Sequence, residues 1–142
     1  MADAVTTITP VRSGATANGG AWDLYKVFDS ELVNATADVE SVFGASAPGM
    51  ELAQFMTFGL YAVFTSGGTI DVAVNILQSF DNTAANFAVP DIDGTIITVT
   101  DTTIHVVTVS PTPMPFFRIQ AAGQGSNAAT TRITAYVFMQ SS

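Results

Sequence analysis

Residues 69–80, TIDVAVNILQSF, decide the fold. Ile70, Val72, Val74 and Ile76 fall on one side of an extended chain, and Asp71, Ala73 and Asn75 fall on the other. That period of two is what a strand with one face against a core requires. Just upstream, Gly67-Gly68 marks a turn, and the longest apolar run, Leu52 to Phe64 (LAQFMTFGLYAVF), precedes it. The run is shorter than the about 20 residues of a membrane helix, and Gln54, Thr57 and Gly59 interrupt it. Its aromatic residues suit a long buried strand instead. Residues 52–65 and 69–80 are therefore expected to form an antiparallel pair.

Working toward the C-terminus, turn residues recur at short intervals. Asp81-Asn82 ends the first strand, and Asp91-Ile92-Asp93-Gly94 makes a turn. Ile96–Thr100 is a β-branched run, Asp101-Thr102-Thr103 turns again, and Ile104–Val109 is the next strand. Ser110–Pro115 holds three prolines, which cannot donate to a ladder, so it reads as an extended connection. Phe116–Ala122 and Thr131–Gln140 complete the set, with a Gly-rich loop between them. Six or more strands at this spacing specify an all-β, antiparallel β-sandwich of jelly-roll type.

Toward the N-terminus the pattern weakens. Trp22–Phe28 reads as the first sandwich strand, while Ser30–Phe43 fits a helix capped by Ser30 or a strand about equally. Residues 1–20 are rich in Thr, Ala and Gly and poor in large apolar groups, which describes an extended N-terminal arm or a marginal edge strand. The expected organisation is thus an arm over 1–20 and one domain over 21–142. Met1-Ala2-Asp3-Ala4 has neither the basic nor the apolar region of a secretory signal.

Composition narrows the function classes. Only 11% of the 142 residues are charged, against roughly 25% in an ordinary soluble domain. The surface is therefore neutral and polar, or part of it is covered by a partner. A net charge of -8, with four scattered cations at Arg12, Lys26, Arg118 and Arg132, argues against nucleic acid as a partner. No membrane partner is expected either. Cysteine is absent and histidine occurs once, at His105, so the groups from which catalytic and thiolate metal sites are built are nearly missing. No catalytic residue, metal site or cofactor is assigned, and the chain is expected not to be an enzyme.

Several motifs can be read in more than one way. Asp91-x-Asp93-Gly94 resembles the start of a calcium loop, but it lacks the later ligands and reads as a hairpin turn. His105 has no second histidine or cysteine beside it and is read as a structural or interface residue. The glutamates and aspartates read as solvated charges. Asn34-Ala35-Thr36 matches a glycosylation acceptor that has no function without export. Trp22, Tyr25, Tyr61, Tyr136 and the phenylalanines could form a sugar-stacking platform, yet their apolar surroundings favour core packing. Phe116-Phe117 is the exception. Adjacent strand residues point to opposite faces, so one of the two is expected to reach the outside or a partner.

The stretch NILQSFDNTAANFAVPD and the later PFFRIQAAGQGSNAATTRITAYVFMQ resemble small phage virion proteins of β-sandwich or jelly-roll type. The shared elements are Ser79, Asp81, Asn86-Phe87, Phe117-Arg118-Ile119 and the alternating strand Ile133–Met139, and the resemblance covers roughly residues 52–142. It implies a capsid decoration (cement) protein or another virion surface module. Such proteins usually form homotrimers at capsid symmetry axes and use terminal arms to bridge capsomers. The implied partners are a major capsid protein or other virion protein, and the implied location is the capsid surface. Phe116, Phe117, Arg118 and Arg132 become the candidate contacts, with an intrachain ion pair as the other reading of Arg118. A carbohydrate-binding or adhesion module and a filament or tail-tube subunit remain the alternative functions.

Overall fold

A computed structural model describes residues 4–6, 9–17, 19–33, 39–43, 50–51, 57–81, 83, 86–88, 95–109 and 115–140. Among them the chain is all β. The strands are β1 (Ala4–Thr6), β2 (Arg12–Ala15), β3 (Ala21–Leu32), β4 (Val39–Phe43), β5 (Met50–Glu51), β6 (Thr57–Thr65), β7 (Val72–Ser79), β8 (Thr95–Val99), β9 (His105–Val109), β10 (Phe116–Gly123) and β11 (Arg132–Gln140). One sheet runs β1-β4-β10-β7-β8, with β5 also on β10, and the other runs β2-β3-β11-β6-β9. All pairings are antiparallel except β1 with β4.

Eight of these strands form a jelly roll. The order β3-β11-β6-β9 in one sheet faces β4-β10-β7-β8 in the other, the arrangement two interleaved Greek keys produce. The alternation seen in the sequence fills the space between the sheets. Val72, Val74 and Ile76 of β7 and Phe117, Ile119 and Ala121 of β10 meet Leu60, Ala62 and Phe64 of β6 and Ile133, Ala135, Val137 and Met139 of β11, all buried.

This topology corrects the expected pairing of 52–65 with 69–80. β6 and β7 lie in different sheets, and residues 52–56 fall outside the described residues. The connection between them is not a hairpin turn; its backbone is satisfied by the loop between β10 and β11. Gly67 N–H donates to Thr130 Oγ1 at 3.0 Å, Ala128 N–H to Thr69 O at 2.8 Å, and Gln124 N–H to Asp71 O at 2.8 Å. Asn127, buried, completes the tie. Its Oδ1 accepts from Asp71 N–H at 3.1 Å, and its Nδ2 donates to Val33 O at 2.6 Å. Two crossings between sheets thus support each other at one end of the sandwich.

Residues 30–43 resolve toward strand wherever they are described, as the end of β3 and as β4. Ser30 does not cap a helix. It sits at a register irregularity of β3 against β11, with φ of 52°, and its N–H donates to Thr134 Oγ1 at 3.0 Å. A second irregularity upstream lets the adjacent Val27 and Phe28 both enter the core. The described parts of residues 1–20 are edge strands: β1 borders one sheet and β2 borders the other. The glycosylation-like triplet, the Asp91–Gly94 turn and residues 110–114 of the proline segment lie outside the described residues.

Candidate functional site

On the outer face of the β7–β10 pair, Ser79, Asp81, Asn86-Phe87 and Arg118 come together, while the last element of the resemblance, Ile133–Met139, is β11 of the other sheet. Ser79 ends β7, and Asp81 follows it into a closed turn. Ser79 Oγ donates to Asp81 Oδ1 at 3.1 Å, Thr83 N–H donates to the same oxygen at 3.1 Å, and Asn86 Nδ2 donates to Oδ2 at 2.8 Å. Partial desolvation opposes the charge on Asp81, yet these donors outweigh it and hold the carboxyl below its ordinary range. The turn delivers Phe87, whose ring lies 4.6 Å from the Arg118 guanidinium carbon. A cation over a ring face is attracted by the ring quadrupole.

The four candidate contacts therefore separate. Phe117 points inward and is fully buried, so it belongs to the core, not to a contact surface. Arg118 faces the other way but is only 6% exposed, stacked under Phe87. This corrects the placing of Phe117 among the contacts, and for Arg118 it goes against the contact reading, the other reading having kept it within its own chain. Phe116, opposite Ser79 on the outer face, stays partly exposed, as the opposed directions of adjacent strand residues require. Arg132 is exposed and donates from Nη1 to Ser30 O at 2.7 Å, holding the irregularity in β3. Phe116 and Arg132 lie in different sheets and do not form one site.

The outer face of the five-stranded sheet holds a surface that the sequence reading assigned to the core. Across it, one row runs Arg12, Leu24, Phe138, Gly59 and Thr108, and the next runs Lys26, Tyr136, Tyr61 and Val106. Trp22 stands beside them, opposite Gly14 and Gln140. Trp22 and Phe138 are 5.9 Å apart between ring centroids, Tyr61 and Tyr136 meet edge to face at 6.0 Å, and Lys26 Nζ lies 5.7 Å from the Tyr136 ring. Tyr61 is 38% exposed and Val106 72%. A shallow apolar hollow of about 200 Å³ opens where Gly59 leaves room among Tyr61, Val106, Thr108 and Phe138.

One signal in the sequence could have found this face. In β11 the even positions read Arg132, Thr134, Tyr136, Phe138 and Gln140, and the odd ones Ile133, Ala135, Val137 and Met139. The aromatic residues share parity with the polar ones and so point outward, while Tyr25, opposite Val137, packs inward against the core. Burial followed by the nearby Asp23 carboxylate raises the Tyr25 phenol above its ordinary value.

His105 is engaged within its own chain. Its Nε2 lies 2.8 Å from Asp101 Oδ1, which also accepts from the Thr103 hydroxyl and N–H. The contact with His105, then those with Thr103, hold the Asp101 carboxyl below its ordinary range. Among the described residues no three His, Cys, Asp or Glu side chains gather in a way that could hold a metal ion.

No protein-family model matches the chain, and none of the curated proteins does. Solved structures do resemble it. The coat protein of tobacco streak virus matches at 11% identity with a TM-score of 0.50, over 89% of each chain. A chain from the structure of infectious bursal disease virus Gx strain matches at 12% identity and a TM-score of 0.49 over 92% of this chain, which spans about a third of that longer one (32%). The low-affinity xylan-binding module CBM86 of Roseburia intestinalis matches at 12% identity, a TM-score of 0.39 and coverage of 92% and 86%. What the chain shares with the tobacco streak virus coat protein is the fold.

Proposed function

We propose that this chain is a non-enzymatic structural protein of a virion, a capsid decoration protein that sits on the shell as a homotrimer and contacts the major capsid protein. The observation that carries this reading is the strand order, β3-β11-β6-β9 against β4-β10-β7-β8, an architecture shared with the tobacco streak virus coat protein. The thin inventory of catalytic side chains agrees with it. In this reading the jelly roll is the rigid body and residues 1–20 are the attachment arm. β1 and β2 are 3 and 4 residues long and lie at sheet edges, so few ladder bonds hold them, and an edge strand can pair with a neighbouring chain instead. Phe116 and Arg132 supply further contacts from the exposed surface.

The test has two parts. Light scattering over a range of concentrations is expected to give a discrete trimer, free or on the shell, whereas open-ended growth would indicate a filament subunit. Deleting residues 2–20 is expected to abolish co-sedimentation with capsid shells while the β circular-dichroism signal persists. Undiminished co-sedimentation would overturn the arm.

A further inference from the structure

Two features of the outer face of the five-stranded sheet go beyond the virion reading, although β2 and Arg132 have a part in both. The first is a flat ring. A Cβ placed on Gly14 would stand 2.5 Å from Cε2, Cζ2 and Nε1 of Trp22. The indole therefore lies across the glycine backbone, with one ring face toward the sheet and the other turned outward. Phe138 continues this surface at 5.9 Å, its plane inclined by 32°.

The second is charge. Of the four Lys and Arg in a chain with twelve carboxylates, Arg12, Lys26 and Arg132 all stand on this face. Lys26 is paired with Asp29 at 3.0 Å. Arg12 and Arg132 are exposed, and among the described residues neither pairs with a carboxylate. Arg132 spends one donor on Ser30 O and keeps the rest of its fork.

We propose that this face binds a carboxylate-bearing polysaccharide, one containing uronic or sialic acid units. A sugar ring has an apolar face that stacks on a flat aromatic ring, and a guanidinium fork matches a carboxylate in a bidentate pair. Arg12 is in the row of Phe138, and Arg132 lies six residues away along β11, about 20 Å at 3.4 Å per residue. The Tyr136–Tyr61 row lies between the two cations, and Trp22 lies one row beyond Arg12, so the path from Trp22 to Arg132 has the length of an oligosaccharide, not of a single sugar. The hollow at Gly59 lies beside that path.

A second copy of the chain fits less well. A second copy meeting this face symmetrically would bring together two faces that each carry Arg12, Lys26 and Arg132, with Asp29 already paired to Lys26. Its exposed Asp81 and Asp101 already accept hydrogen bonds inside their own turns.

Trp22 is the only tryptophan, so its emission reports occupancy of this face in the full chain. Titration with polygalacturonate or polysialic acid is expected to shift that emission saturably, and added salt to weaken the response. Arg12→Gln and Arg132→Gln, each checked for an unchanged circular-dichroism spectrum, are expected to reduce affinity up to about fivefold apiece. Trp22→Leu is expected to lose about tenfold or more in affinity electrophoresis through polygalacturonate. The inference is overturned by an emission that neither acidic polymer moves, or by an equal response to neutral xylan. A stronger response to single-stranded oligo-dT, or a shift with protein concentration alone, would also overturn it in favour of nucleic acid or a second copy. None of these results depends on shell attachment, so the virion reading stands or falls separately.

Discussion

Replacing Gly14 with alanine tests the geometry of the outer face most directly, because two effects of opposite sign compete there. In an ordinary strand the change stabilises by about 0.5–1 kcal/mol, since glycine loses more chain entropy on folding. Here the new methyl would stand 2.5 Å from three atoms of the Trp22 indole, so the ring must swing off its seat. Leaving that seat forfeits the contact with Phe138, about 0.5–1.5 kcal/mol for an aromatic pair. It also exposes roughly 50 Å² of ring, about 1.3 kcal/mol at 25 cal/mol per Å². The losses exceed the gain, and Gly14→Ala is expected to destabilise by about 1–2 kcal/mol. Urea unfolding followed by far-ultraviolet circular dichroism measures the change, with an unaltered m-value as the sign that the denatured state is the same. The native emission of Trp22 is expected to move to the red in the same variant. In a Trp22→Ala background the colliding atoms are gone, and Gly14→Ala becomes neutral or stabilising. A single variant as stable as the parent, with unshifted emission, would refute the flat seating of the indole.

Other expectations follow from the packing. Phe117→Ala opens a cavity in the fully buried core and is expected to cost about 3–5 kcal/mol, while Phe116→Ala on the opposite face costs about 1 kcal/mol or less, both by chemical denaturation. Equal costs would contradict the assigned directions of the two rings. Asn127→Ala strips partners from Asp71 N–H and Val33 O at a buried crossing and is expected to cost about 2–3 kcal/mol; a change within experimental error would show that water replaces the side chain. The Asp81 carboxyl titrates below its ordinary value in the folded chain, so its contribution is fully present above that ordinary value and is lost as pH falls through the lower, folded one. The stability difference between the parent and Asp81→Asn is thus expected to be flat from about pH 8 to 5 and to shrink below about pH 4. A difference that persists to about pH 2 would remove Asp81 from the account.

Strand positions were legible because they depend on local pattern. Residues 69–80, 96–100, 104–109, 116–122 and 131–140 all coincide closely with observed strands, each marked by β-branched or alternating residues between turn formers. The pairing of neighbouring strands was not legible. Gly67-Gly68 looks like a hairpin from within the segment, but Gly67 N–H donates to Thr130 Oγ1 and the adjoining Thr69 O accepts from Ala128 N–H, both some sixty residues later. Phe117 and Arg118 were misplaced for a related reason: opposed directions follow from adjacency, whereas the burial of both faces depends on Phe87 folding back over Arg118.

By itself, then, the sequence determined an all-β sandwich, the alternation of strands such as that over 69–80 and a chain nearly empty of catalytic groups. Only the tertiary structure decided which parity faced inward when both were apolar, and it set Trp22, Tyr61, Tyr136 and Phe138 together with Arg12 on one exposed sheet face. The reason is that a period of two fixes which side chains share a side of one strand, whereas the neighbours across that side come from strands far away in the chain. A jelly roll, whose consecutive strands repeatedly change sheets, separates those two kinds of information more than a meander would.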